Sequence, residues 1–105
     1  MQFKPSPNNL VIYRRRMGFS KKYVSGLLGH GNTSSLSRLE QGRALASLET
    51  ALKLAAIYRA PVEFLYSPMY LGLRDHIRAR EAKLPKPPYA KQPLQPLIQN
   101  HAINS

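Results

Sequence analysis

Apolar residues recur at intervals of three and four from Asn8 to about Lys83, with polar residues between them. This spacing is the period of an α-helix that buries one face. Outside this segment the period is lost. Residues 1–7 include two prolines and few apolar groups, and five of the 22 residues from Leu84 onward are proline. The pattern predicts a flexible arm over residues 1–7, an all-α globular part, and a Pro-rich disordered tail over residues 84–105.

Capping residues and glycines divide the globular part into six predicted helices. Side chains that can accept a hydrogen bond from an unpaired helical N–H stand at the expected starts of the first four: Asn9, Ser20, Asn32 or Thr33, and Ser47. Glycine tolerates the left-handed conformation at a helix end and follows the first three helices, as Gly18, Gly29 and Gly42. Pro61 begins a short fifth helix, and Ser67-Pro68 opens a last one that runs to about Lys83.

One apolar face of each helix is expected to form the core. The residues predicted to face inward in the first three helices are Leu10, Tyr13, Met17, Val24, Leu27, Leu28, Leu36 and Leu39. The predicted inner stripe of the fourth helix is Leu48, Leu52, Ala55 and Ala56. Tyr58, Phe64 and Tyr66 are expected in the core or on a dimer surface. The third helix is then amphipathic, and its outward face carries Ser34, Ser35, Ser37 and Arg38.

The charge of the chain points to a class of partner. Sixteen lysines and arginines against five acidic residues give a formal net charge of +11. This excess favours a polyanion, with nucleic acid as the first candidate and an anionic membrane surface as the second. No run of 18 apolar residues and no signal-peptide pattern is present, so a cytoplasmic protein without a membrane span is expected. The absence of cysteine removes disulfides and thiolate metal sites.

Two short predicted helices joined by the glycine-containing turn HGNT are typical of a helix-turn-helix. The hydroxyl-rich start of the third helix then lies where a recognition helix meets base edges and phosphates. Over roughly residues 9–66, the segments FSKKYVSGLLGH, SSLSRLEQG and SLETALKLAAIYRAPVEFLY resemble the XRE-type regulators of the phage repressor and Cro group. The resemblance implies a compact five-helix repressor-like helix-turn-helix domain over residues 8–66, followed by an extra C-terminal helix over residues 67–83 that could mediate dimerisation.

The resemblance also implies which residues bind DNA. Lys21, at the start of the second helix, matches a position that touches phosphate or the edge of a site. Thr33, Ser34 and Ser35 match the exposed N-terminal end of the recognition helix. Arg38 matches a position one turn further on that reaches bases. The chemistry of Arg38 agrees, because a guanidinium pairs bidentately with guanine O6 and N7.

Further along, Gln41 and Arg43 match family positions whose backbone amide and basic side chain hold phosphate, whereas Glu40 matches a structural residue.

Two sets of residues have an alternative interpretation. The arginines at 14–16 cannot all face one way on a helix, so they are read as a solvated surface from which one could reach the DNA backbone. Ser34 and Ser35 could serve only as caps and first-turn residues.

The sequence contains no complete P-loop or serine-hydrolase motif and no metal-ligand spacing of histidines. GLLGHG lacks the Lys-Ser or Lys-Thr of a P-loop, and GHGNTSS lacks the G-x-S-x-G elbow of serine hydrolases. His30, His76 and His101 show no metal-ligand spacing. We therefore expect a protein that is not an enzyme and that binds no metal or cofactor.

Three functions from different classes remain. The first is a dimeric, sequence-specific regulator of transcription that binds double-stranded DNA, by default as a repressor, with its third helix in the major groove. The second is an antitoxin-type DNA-binding protein whose segment LQPLIQNHAI binds and neutralises a toxin partner. The third is a non-specific RNA or membrane-surface binder. It is disfavoured because no aromatic stacking platform and no helix with a basic and a large apolar face is found.

A homodimer is expected for the first function, because one such domain contacts few base pairs and two half-sites give useful specificity. Two apolar surfaces are candidates for its interface. The residues concerned are Val62, Phe64 and Leu65 in the fifth helix, and Tyr70, Leu73 and Ile77 in the last. The alternative is that the last helix packs back on its own domain.

Overall fold

Residues 7–87 are described by a computed structural model of the chain, and within this range they form six α-helices and no strand. The helices are α1 (Leu10–Met17), α2 (Lys21–Leu27), α3 (Ser34–Glu40), α4 (Leu48–Tyr58), α5 (Val62–Leu65) and α6 (Ser67–Lys83). The predicted all-α class and the six helices are confirmed. The predicted arm and tail, with the segment LQPLIQNHAI, lie outside the described residues except for Pro7 and residues 84–87, which are not helical.

The chain divides into two compact units, Met1–Asp75 and His76–Ser105. The first unit holds α1–α5 and the first half of α6, and the hydrophobic core belongs to it. In the second unit, all described residues are exposed, and Arg78 forms an ion pair with Glu81 at 3.3 Å. No helix between residues 7 and 87 is both long and apolar enough to cross a bilayer.

Side-chain caps and a glycine set helix boundaries where the sequence predicts them. The Ser20 hydroxyl accepts a hydrogen bond from the Tyr23 amide at 3.0 Å, and the Ser47 hydroxyl accepts one from the Thr50 amide at 3.1 Å. Each bond satisfies one of the N–H groups that have no partner within the first turn of a helix. Gly18 ends α1 with φ of 73°, in the left-handed region that disfavours residues with a Cβ.

The start of α1 differs from the prediction in the side chain that caps it. Asn9 occupies the N-cap position, but its side chain makes no capping bond. The Asn9 Nδ2 instead donates to the Phe64 carbonyl at 3.0 Å and to the Ser67 hydroxyl at 2.7 Å. The side chain of Asn8 takes the local role, because its Oδ1 accepts from the Leu10 amide at 3.0 Å. Asn9 thus joins the start of α1 to α5 and α6, more than 50 residues away in sequence.

A single hydrophobic cluster forms the core of the first unit. Each of the helices α1 to α5 contributes one large side chain with no exposed surface, namely Leu10, Val24, Leu36, Leu54 and Leu65. Complete burial of such a side chain stabilises the fold by about 1.5–3 kcal/mol. Tyr58 and Tyr66 also lie in this core, as predicted.

The core prediction is wrong for Leu27, which is 51% exposed. α2 is buried along the side that carries Val24 and Leu28, four residues apart. Leu27 lies roughly 100° around the helix from Leu28, because successive residues are that far apart. The contact between α2 and the core is too narrow to bury both adjacent leucines, and packing against the neighbouring helices buries Leu28.

The inner stripe predicted for α4 is wrong for Leu48, Leu52 and Ala56, whereas Ala55 packs against the core as predicted. Leu48 and Leu52 are 75% and 54% exposed, whereas the buried residues are Ala51, Leu54 and Tyr58. Apolar residues occur on nearly every side of this helix, so the spacing of three and four is satisfied by more than one stripe. On α5, Leu65 is fully buried and so cannot form the dimer surface predicted for it.

A buried ion pair links α1 to the end of α3. The Arg14 Nε donates to Glu40 Oε2 at 2.6 Å and its Nη2 donates to Oε1 at 3.2 Å, in a bidentate arrangement. The Arg14 and Glu40 side chains are only 11% and 3% exposed. A third bond, from Arg14 Nη1 to the Phe19 carbonyl at 3.1 Å, reaches the loop before α2. Arg14 is therefore not part of a solvated surface, and the structural role expected for Glu40 is confirmed.

The ion pair also acts on a buried tyrosine. Burial raises the pKa of the Tyr58 phenol to about 12, and the negative charge of Glu40 adds to this shift. The pKa of Arg14 is raised as well, chiefly by its hydrogen bond to Glu40. The first shift favours the neutral form of Tyr58, and the second favours the charged form of Arg14.

Replacing Glu40 by Gln is expected to lower the free energy of unfolding by about 3 kcal/mol, because Arg14 stays buried without its counter-charge. The matched control is Glu49→Gln. It removes an exposed pair with Lys53, whose side chains are 78% and 48% exposed, and should cost less than about 1 kcal/mol. Urea unfolding followed by circular dichroism measures both variants. Equal losses would contradict the structural role of the buried pair.

Stability is expected to fall as pH rises from about 10 to about 12, because Tyr58 ionises in the unfolded chain before it ionises in the folded one. Its contribution is fully present below pH 10 and is lost across that window. Tyr58→Phe keeps the ring and removes the phenol, so its stability should decline less steeply with pH. Urea unfolding at about pH 9 and about pH 11 makes the comparison, and an identical decline in variant and wild type would exclude Tyr58 as a source.

Candidate nucleic-acid interface

Helices α2 and α3 contact each other and are joined by residues 28–33. Gly29 follows α2 with φ of 86°, a conformation that residues with a Cβ rarely adopt. The His30 amide donates to the Ser25 carbonyl at 2.9 Å and closes the end of α2. The Asn32 Oδ1 accepts from the Ser34 amide at 3.0 Å and opens α3. Gly29, directly before HGNT, and Asn32 within it thus end α2 and begin α3 on either side of the predicted turn.

The residues of α3 separate into a buried face and an outward face. Leu36 and Leu39 are 0% and 6% exposed, and they set the orientation of the helix on the core. At roughly 100° per residue, Ser34, Arg38 and Gln41 fall within about 60° of one another on the other side. All three are exposed. We call this set, Ser34, Arg38 and Gln41, the outward face of α3.

The other predicted site residues lie around the outward face. The Lys21 Nζ donates to the Ser37 hydroxyl at 3.3 Å, so the first residue of α2 lies against α3. Thr33 is the half-buried N-cap residue of α3 and makes no side-chain capping bond, and Ser35 is exposed beside it. Arg43 is exposed in the loop after α3, and its amide donates to the Arg38 carbonyl at 2.8 Å.

Every accessible charge between residues 7 and 48 is positive. The accessible cations of this stretch are Arg15, Arg16, Lys21, Lys22, Arg38 and Arg43. Its one acidic residue is Glu40, whose side chain is 3% exposed and paired with Arg14. Exposed carboxylates begin only at Glu49. A stretch of chain whose accessible charges are all positive attracts a polyanion over a distance of several ångströms.

Sequence reasoning missed several residues of this region. Ser37 is predicted to face outward but not to belong to the site, although it lies three residues after Ser34 and accepts a hydrogen bond from Lys21. Lys22 is exposed and, with neighbours that include Tyr23 and Leu27, lines a shallow cavity of about 460 Å³. The helical period could have identified Ser37. Nothing in the local pattern marks Leu27 as exposed, because the choice between it and Leu28 is made by packing.

The three consecutive arginines of α1, residues 14–16, have different environments because a helix points successive side chains in different directions. Arg14 is buried in its ion pair, Arg15 is exposed, and the Arg16 guanidinium lies 5.3 Å from the centre of the Tyr13 ring. Within residues 7–87, no cluster of three or more histidine, aspartate or glutamate side chains could hold a metal ion.

A comparison with known protein families finds no family model that matches the chain, and a comparison with characterised proteins finds no match. The geometry and the charges of α2 and α3 are therefore the basis for assigning a function.

Proposed function

We propose that the protein is a sequence-specific regulator of transcription that binds double-stranded DNA through an XRE-type, repressor-like helix-turn-helix, with α3 in the major groove. The observation that carries this proposal is the outward face of α3, which combines a serine, an arginine and a glutamine and belongs to a stretch, residues 7–48, whose accessible charges are all positive. A helix is about 10–12 Å across and the major groove is about 12 Å wide. Small or hydrogen-bonding side chains on this face leave room for that approach.

Arg38 is the residue assigned to base reading. It is exposed, and it lies one turn into α3, on the same face as Ser34 and Gln41. Its guanidinium can donate two parallel hydrogen bonds to guanine, a contact worth roughly 1–3 kcal/mol of discrimination. Thr33, Ser34 and Ser35 contribute hydroxyl groups near the start of the helix. A hydroxyl both donates and accepts, so it distinguishes bases weakly.

Lys21, Gln41 and Arg43 are assigned to phosphates. Lys21 begins α2 and touches Ser37 in the middle of α3, while Gln41 and Arg43 follow the C-terminal end of α3. Contacts with the backbone on both sides of a recognition helix hold its register without reading sequence. The absence of an accessible carboxylate between residues 7 and 48 removes a repulsive contribution to this binding.

A homodimer would place two copies of α3 in successive major grooves, about 34–36 Å apart. Bound over a promoter in the cytoplasm, such a dimer occludes polymerase, and repression is the direct consequence. The activity requires no catalytic residue and no cofactor.

Selection from randomised duplex DNA at about physiological salt is expected to enrich an inverted repeat with half-sites about one helical turn apart. Arg38→Ala should relax the preference at one or two base pairs and keep much of the non-specific affinity. Lys53→Ala, a change of an exposed cation on α4, is the control and should leave the motif unchanged. The absence of any motif, with binding that collapses as salt rises, would overturn the proposal.

Lys21→Ala and Arg43→Ala are each expected to weaken binding to all duplex sequences alike. Each should also reduce the slope of log affinity against log salt by about 0.9, because one phosphate contact and its released counterion are lost. Titration of a labelled duplex at several salt concentrations measures the slope, with Lys53→Ala again as the unchanged reference. A slope equal to that of the wild type would remove the substituted residue from the phosphate contacts.

A further inference from the structure

The positive charge of the chain is concentrated in two blocks of sequence. Residues 1–48 carry eight lysines and arginines against one carboxylate, and residues 76–105 carry five against one. Residues 49–75, between these blocks, carry three cations and three carboxylates and have no net charge. Charge that only keeps a chain in solution acts through its total and needs no such distribution. The first block contains the candidate nucleic-acid interface, and the second block is the second unit.

Most cations in the described part of the second unit have no counter-charge. They are Arg78, Arg80, Lys83 and Lys86, and all four are exposed. The one carboxylate of residues 76–87, Glu81, accepts a hydrogen bond from the Arg78 guanidinium at 3.3 Å. No carboxylate among residues 7–87 forms an ion pair with any of the other three cations. We call Arg80, Lys83 and Lys86 the basic segment of the second unit.

The helix separates the unpaired cations from the paired one. At roughly 100° per residue, Arg80 and Lys83 lie about 60° apart around α6, whereas Arg78 lies about 160° from Arg80. The ion pair of Arg78 with Glu81 is therefore on a different side of the helix from Arg80 and Lys83. Because Lys86 follows Lys83 by only three residues, it extends the same run of positive charge beyond the end of the helix.

We propose that the basic segment of the second unit is a second contact with duplex DNA and that it binds the phosphate backbone. A duplex carries one negative charge for about every 1.7 Å of its axis, so closely spaced cations can meet several phosphates. Long lysine and arginine side chains bind phosphate without reading bases. The contact therefore adds affinity and no sequence preference.

The other side chains of residues 76–87 favour duplex DNA over the other polyanions. This stretch contains no phenylalanine, tyrosine or tryptophan, the residues on which the bases of single strands stack. Its only large apolar side chains are Ile77 and Leu84, which are too few to form the apolar face that a membrane-surface helix buries. Duplex phosphate requires neither feature.

The contact rests on the proposed DNA-binding function for its ligand, and salt dependence tests it in the full chain. The probe is a labelled duplex of about 30 base pairs of mixed sequence, titrated between about 50 mM and about 200 mM salt by fluorescence anisotropy. Arg80→Gln combined with Lys83→Gln should reduce the slope of log affinity against log salt by about 1.8, because two phosphate contacts are lost. Adding Lys86→Gln should reduce the slope by about 0.9 more.

Arg74→Gln combined with Arg78→Gln is the matched control. It removes the same charge from the same helix, but these two side chains are paired with Asp75 at 3.1 Å and with Glu81 at 3.3 Å. Its slope should stay near that of the wild type. Equal changes of slope in the two double variants would assign the effect to net charge and contradict a local contact.

Circular dichroism of the same variants tests a purely structural role. Arg80 and Lys83 lie in the last turn of α6, where a cation also stabilises the helix itself. If that is their whole role, the double variant loses helical signal and keeps the wild-type slope, which overturns the contact. An unchanged slope with lost binding to vesicles of phosphatidylglycerol and phosphatidylcholine would assign the segment to lipid and overturn it equally.

Selection from randomised duplex DNA separates this contact from the function on which it rests. An inverted repeat enriched by the wild type and retained by the Arg80 and Lys83 double variant, with the smaller slope, supports both proposals. The same repeat with an unchanged slope overturns the second contact alone. A smaller slope without any enriched motif supports the contact and overturns sequence-specific regulation, and a wild type that binds no duplex overturns both.

Discussion

Arg14 and Glu40 form the ion pair on which the orientation of α3 depends. Arg14 belongs to α1, and its guanidinium donates hydrogen bonds to Glu40, the last residue of α3, and to the Phe19 carbonyl in the loop before α2. Burial of both charges costs solvation, and the pair is stable only because two bonds to the carboxylate and one to the Phe19 carbonyl replace the lost water. The core leucines Leu36 and Leu39 hold the inner side of α3, and the ion pair holds its end.

The same pair shapes the electrostatics of the candidate interface. Glu40 is the only acidic residue between residues 7 and 48, and it lies two residues after Arg38 in sequence. An exposed carboxylate at that point would repel phosphate and compete for the guanidinium. Because Glu40 is buried against Arg14, all accessible charges of residues 7–48 are positive. The structural ion pair and the charge of this stretch therefore have one origin.

Much of the candidate site could be predicted from the sequence because α3 has few apolar residues. Its two leucines are its only large apolar residues, so the buried face is unambiguous and the outward positions of Ser34 and Arg38 follow. The contact between Lys21 and Ser37 could not be predicted, since it depends on how α2 crosses α3. Tyr70 and Leu73 are predicted at an interface, and both are exposed, whereas Leu48 is predicted in the core and is 75% exposed.

The sequence by itself determined the all-α class, the six helices and most of their boundaries. Capping serines, asparagines and helix-ending glycines act through bonds and backbone angles within a few residues, so local chemistry is sufficient. Tertiary structure alone decided which face of α2 and α4 is buried, that Asn9 bonds α5 and α6 while Asn8 caps α1, and that Arg14 is buried while Arg15 is exposed. In each case several positions satisfy the local sequence pattern equally well. Packing and hydrogen bonds between segments far apart in the chain decide between them, and no local pattern contains that information.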